Sequence, residues 1–107
     1  MDRRPSWQSE PCPAWCVGGH QENDHPDDRV HRSTSFPVPV VLRRSEPEGE
    51  RMARRIEHDD FEVALSRVDG ESDTWLYVGN GPGMHLDVTV ESARRLLRAA
   101  SIRLTGQ

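Results

Sequence analysis

Two cysteines and three of the chain's five histidines fall in one stretch, PCPAWCVGGHQENDHPDDRVH, residues 11–31, and no other cysteine occurs in the 107 residues. Their spacing is C-x3-C-x3-H-x4-H-x5-H. Soft thiolate and imidazole donors this close together are what a tetrahedral zinc shell requires. Cys12, Cys16, His20 and His31 are the expected ligands, with His25 as the alternative histidine. His20 follows the cysteine turn directly, and His31 opens the first candidate strand, a firm platform. His25 precedes Pro26 in a polar loop and is expected to be solvated. The competing states of the cysteines are two free thiols or a disulfide. The second is disfavoured in a reducing compartment. The spacing does not match a C2H2 finger, which places about 12 residues between the second cysteine and the first histidine.

A staple is needed because the apolar content is low. Hydrophobic residues make up 34% of the chain and cluster after residue 36. The foldable core is therefore about 60–70 residues, a size at which apolar burial alone is marginal. The net charge of −4, with arginine as the sole strong base, argues against a general nucleic-acid binder. No apolar run follows Met1 and no window has the length of a membrane span, so a cytoplasmic protein is expected, with no membrane partner.

Residues 1–10 are polar and aperiodic and read as a disordered tail, with residues 11–107 as a single small domain: a metal-binding lobe over 11–35, then a sheet and helix over 36–107. Pro13 suits the first position of a helical turn, which would put Cys12 near its N-cap and favour the Cys12 thiolate. Gly18 and Gly19 would end that turn. The acidic segment Glu22, Asp24, Asp27, Asp28 lacks the order of a calcium loop and is expected to be solvated, with one carboxylate orienting a histidine.

Phe36, Val38, Val40 and Leu42 alternate, and Pro37 and Pro39 confine their strand to an edge. Residues 43–59 are charged throughout; Pro47 and Gly49 mark a loop, and Met52 and Ile56 could anchor either one helical turn or a short strand. Residues 60–68 and 74–78 read as a hairpin, Asn80–Gly83 as a turn, and Met84, Leu86 and Val88 as a further strand. GNGPG is followed by neither lysine nor a helix, so it is not a phosphate loop. Thr89 caps a helix over about 90–103, whose stripe Ala93, Leu96, Leu97, Ala100 and Leu104 is expected to pack on the sheet. The expected fold is α+β: a zinc-binding N-terminal loop lobe, a small antiparallel sheet of three to four strands, and one C-terminal helix covering it.

The residues PCPAWCVGGH, then an acidic loop, a histidine and a strand, resemble a family of small actinobacterial proteins of unknown function carrying an N-terminal CPxWC motif with nearby histidines. LDVTVESARRLL resembles the start of that family's C-terminal helix. The resemblance covers most of residues 11–102, and its motif positions match Cys12, Cys16, His20 and His31. It implies the architecture and no activity.

The expected function is a zinc-stabilised, non-catalytic module that binds or regulates another protein, with Arg94, Arg95 and Arg98 meeting an acidic partner. The alternatives are nucleic-acid binding by the arginine-rich helix and a small metal- or thiol-dependent enzyme. The chain has no HExxH motif. His58 beside Asp59 and Asp60, and His85 beside Asp87, are lone histidines among carboxylates, which do not by themselves make an acid–base pair.

Overall fold

Five strands pair into one antiparallel sheet, and period-2 alternation marks those that flank its apolar rows. A computed structural model describes residues 4–106. Its elements are a short 3-10 turn (Pro26–Asp28), β1 (Val30–Arg32), β2 (Phe36–Glu48), β3 (Arg51–Val68), β4 (Trp75–Gly79), β5 (His85–Thr89) and α1 (Val90–Thr105). The sheet has five strands, one more than the upper expectation, because His31 lies in a short strand of its own. The order is β1-β3-β4-β5, and β2 pairs the other stretch of the long β3.

The register places Phe36, Phe61, Val63, Leu65, Leu76, Val78, Leu86 and Val88 on one face, with Trp75 and Tyr77 on the other. Phe36 lies opposite Val63, Val63 opposite Val78, and Val78 opposite Leu86, so one apolar row crosses four strands. Leu65, Leu76 and Val88 form the next row. His31 opposes Arg67 and so falls on the same face. β2 is an edge strand, consistent with its prolines.

Residues 43–59 are strand on both sides of the Pro47–Gly49 loop signal, so of the two readings of Met52 and Ile56 the structure has the strand. They are the distal part of a β2–β3 hairpin paired without a break from Phe36↔Val63 to Glu48↔Arg51. Gly49 takes a φ of +63° at the first loop position, as a two-residue type II′ turn requires, so Pro47–Gly49 marks the tip of the hairpin. Beyond β4 this hairpin is a two-stranded arm. Arg44 Nε donates to Glu57 at 2.7 Å, and Asn80 Nδ2 ties the arm's base to Asp59 at 2.5 Å.

The helix starts where expected: Thr89 Oγ1 accepts from the Ser92 amide at 3.2 Å, and Gly106 caps the far end. It does not pack on its own sheet, contrary to expectation. Val90, Ser92 and Ala93 in the first turn are half-buried, and from Arg94 onward every described residue of α1 is exposed. Thr89 is both the last residue of β5 and the cap, and the Val90 amide donates to Thr74 O at 3.0 Å. With no linker residue between strand and helix, only the first turn of α1 lies against β4 and β5, and the rest runs out into solvent.

The consequence is a chain without an apolar core. Among the described residues no Val, Leu, Ile, Met, Phe or Trp side chain is buried, and the one fully buried large side chain is His31, at 0% exposure. The radius of gyration is 18.2 Å; a compact chain of this length has about 13 Å. Among the described residues no helix is long and apolar enough to cross a membrane.

Candidate metal centre

The site is assembled by turns laid against the end of β1. Pro13 begins a single tight turn, closed by the Cys16 amide donating to Pro13 O at 2.9 Å, rather than the expected helical turn. Gly18 and Gly19 both take positive φ, +77° and +79°, a conformation that costs side-chain-bearing residues more. They bring His20 back over the cysteines. The Val17 amide donates to Arg32 O at 2.9 Å and fixes this loop to β1.

Cys12, Cys16, His20 and His31 each offer one ligand atom, and these atoms all lie within 4.8 Å of one another. Cys16 Sγ is 3.6 Å from His20 Nε2. Bond lengths of about 2.3 Å to sulfur and 2.0–2.1 Å to nitrogen separate such a pair by roughly 3.5 Å in a tetrahedron, so the spacing fits a shared ion. The four residues therefore could hold a metal. The His20 and His31 rings meet edge to face at 5.0 Å.

His31 is held from behind. Its Nε2 lies 3.0 Å from Asp69 Oδ1 and 3.6 Å from Glu10 Oε1. Its Nδ1 is buried and has no hydrogen-bond partner in the protein. With Nε2 engaged by carboxylate, Nδ1 is the atom left for an ion, the usual arrangement of a metal-ligating histidine. Asp69 also accepts from the Ser9 amide at 2.8 Å. Burial opposes the charge on Asp69, but the Ser9 amide and His31 outweigh it and hold its carboxyl below the usual range. Glu10 in turn pairs with Arg67 Nη2 at 3.1 Å.

The two thiols differ. Burial raises the Cys16 pKa, but the Gly18 amide, which donates to the sulfur at 3.4 Å, and the His31, Arg32 and His20 groups gathered round it outweigh burial and bring it down to about 6. Cys12 is pushed up, first by burial and then by the hydrogen bond and charge of Cys16, with Gln8 opposing. A helix dipole at Pro13 would have favoured the Cys12 thiolate. No helix starts there, and convergent donors favour Cys16 instead.

The structure separates the other candidates. His25 caps the 3-10 turn, accepting from the Asp27 amide at 3.1 Å, with an exposed side chain, and does not join the four. The orienting carboxylates come from Asp69, in the β3–β4 turn, and from Glu10, not from the acidic segment 22–28, where Glu22 accepts from Ser6 instead. Residues 4–10 are not a loose tail. Trp7 Nε1 donates to Gln21 O at 2.8 Å and its ring meets His20 edge to face at 5.4 Å. Gln8, nearly buried, reaches Cys12 Sγ at 3.5 Å. Residues 1–3 of the expected tail lie outside the described residues. Asp69 stands far from the motif in sequence, whereas Glu10 directly precedes it with nothing in the spacing to mark it as a partner of His31.

Arg94, Arg95 and Arg98 lie on the exposed part of α1, and Arg95 Nη2 donates to Ser92 Oγ at 2.9 Å. His58 is exposed on the arm; the His85 ring stacks on Tyr77 at 5.8 Å, and its Nδ1 lies 3.1 Å from Gly81 O. Neither histidine has a second catalytic group converging on it among these contacts.

Residues 1–104 match the family described as Domain of unknown function (DUF6907), and the chain belongs to that family. No curated protein and no solved structure matches it.

Proposed function

We propose that this DUF6907 protein is a zinc-stabilised, non-catalytic module that binds or regulates another protein. One observation carries the reading: two thiols and two imidazoles converge within 4.8 Å, with the buried imidazole braced by a carboxylate. Two sulfur and two nitrogen donors are a closed structural shell, with no position left for a water or substrate. The ion would take the place an apolar core takes elsewhere, tying residues 4–20 to β1 through His31. The arginines of α1 would then meet an acidic surface of the partner. The competing enzymatic reading draws on a surface recess lined by Arg4, Pro5, Gln8, Cys12 and His20, into which an open coordination position would face.

Metal analysis of purified protein tests this directly. About one zinc per chain is expected, lost in Cys12→Ser and His31→Ala and kept in His25→Ala. A native protein that carries no metal and has the same spectrum and melting in chelator refutes it. Cobalt substitution separates the two readings. A closed shell leaves the cobalt spectrum indifferent to added azide; a spectrum that changes with azide shows an open position and favours the enzyme.

A further inference from the structure

The apolar stripe of α1 has nothing of its own chain to cover. The stripe runs Val90, Ala93, Leu96, Leu97, Ala100, Leu104, one face at helical spacing. Its first two residues are half-buried beside β4 and β5; the rest of it continues into solvent, with Leu97 68% exposed and Leu104 72%. On the sheet, the row Phe36, Val63, Val78, Leu86 is equally uncovered at its ends, Phe36 at 70% and Leu86 at 50%. Each surface is what the other lacks, and within one chain the rigid Thr89–Val90 junction keeps them apart.

We propose that the protein is a two-fold homodimer in which α1 of each copy lies across the apolar sheet face of the other. Three further arguments select a second copy as the occupant. The first is area. The chain exposes 8436 Å² at 12.2 kDa, where a compact monomer of that mass exposes about 6,100 Å². The excess, about 2,300 Å² per chain, is shared by the β2–β3 arm, α1 and the ends of the sheet face, and is large enough to contain the surface each subunit of a dimer removes from solvent. The second is reach. A 16-residue helix is about 24 Å long, and four strands span about 19 Å between outer edges, so one helix crosses one sheet face. The third is charge. α1 carries Arg94, Arg95, Arg98 and Arg103 against Glu91, in a chain whose net charge is −4, so the remainder of the chain is acidic. Two copies of α1 repel each other, whereas α1 is attracted to the rest of the second copy. The exchange is isologous and closes on itself, as the commonest oligomers do. The arginines near the opposite side of α1 stay in solvent, so the docking of an acidic partner under the proposed function is unaffected.

The test uses the intact chain as purified, with its mass read by light scattering across a dilution series. The native protein is expected at twice 12.2 kDa. Leu97→Glu damages the helix side and Phe36→Glu the sheet side. Each is expected to weaken dimerisation by at least about 100-fold, since a charge would be buried against apolar surface. Mixing the two variants is the decisive step. In a mixed pair the intact helix of the Phe36→Glu chain meets the intact sheet of the Leu97→Glu chain while the second contact carries both substitutions, so the mixture shows dimer mass, though less than the native protein, at concentrations where each variant alone is monomeric. A native monomer at every concentration overturns the proposal. So does a Leu97→Glu protein that remains dimeric, or a mixture that stays monomeric. If either variant loses its native circular dichroism, Leu104→Glu replaces it on the helix and Leu86→Glu on the sheet. Leu104 is in the last turn of α1 and 72% exposed, so its replacement leaves the single chain's fold untouched.

Discussion

Replacing Asp69 by asparagine keeps the volume and removes one negative charge behind the metal centre. The carboxylate makes two contacts, Oδ1 to His31 Nε2 at 3.0 Å and Oδ2 to the Ser9 amide at 2.8 Å. An asparagine has one oxygen and one NH2. Whichever way the amide turns, one of the two N–H donors then faces the NH2 and loses its acceptor. If the oxygen stays on His31, the imidazole keeps its orientation but is less basic, because a neutral acceptor has replaced an anion. Outer carboxylates of this kind typically contribute 10–100-fold in metal affinity, about 1.4–2.7 kcal/mol. Competition against a chromophoric chelator at neutral pH should therefore show zinc bound 10–100-fold more weakly by Asp69→Asn, still at about one ion per chain, since no ligand is removed. Asp60→Asn, an exposed acid elsewhere on β3, is the control and should bind as the native protein does. Affinity within twofold of native in Asp69→Asn would refute the assignment of His31 Nδ1 to the ion.

In metal-free protein at neutral pH, Cys16 sits above its pKa of about 6 and is thiolate, while Cys12, raised above the ordinary thiol value, is protonated. Peptide mapping after brief iodoacetamide treatment should find Cys16 alkylated first and both cysteines protected by zinc; faster labelling of Cys12 contradicts the donor arrangement. Thr89→Ala removes the cap at the strand–helix junction and should cost about 1 kcal/mol in urea unfolding, with Thr89→Ser retaining most of it. Gly79→Ala would place a methyl 2.5 Å from His85 Cα and part β4 from β5, whereas a Cβ at Gly49, at φ +63°, meets open space. The first should cost about 2–3 kcal/mol and the second about 1 kcal/mol, from the left-handed conformation alone; equal losses at both sites would show that β4 and β5 are not in this register.

Much of the local structure was legible because its signals are local. Thr89, Glu91 and Gly106 bound the helix by capping chemistry, and the strands from Phe61 to Val88 follow period-2 alternation. The arm over residues 43–59 was not legible. Its alternation is among charged residues on a strand pair exposed on both sides, so no hydrophobic period marks it, and Pro47 and Gly49 read the same in a hairpin tip as in a loop. The stripe on α1 was read correctly as apolar and assigned to the wrong surface, because periodicity says that a face must be covered and not by what.

The amino-acid order alone brought Cys12, Cys16 and His20 into one short loop, since two glycines and a proline leave that segment few other paths. It also made His31 a donor and His25 the weaker alternative. Only the tertiary structure brought His31 to the cysteines and set Asp69 and Glu10 behind it, because the β1–β3 pairing joins residues 38 positions apart in the chain. It also decided which thiol is favoured, because four donors from separate segments converge on Cys16 and not on Cys12. The sheet face stays only half covered, since all but the first turn of α1 runs out into solvent. Contacts between distant residues depend on strand register and junction geometry, which local spacing does not encode.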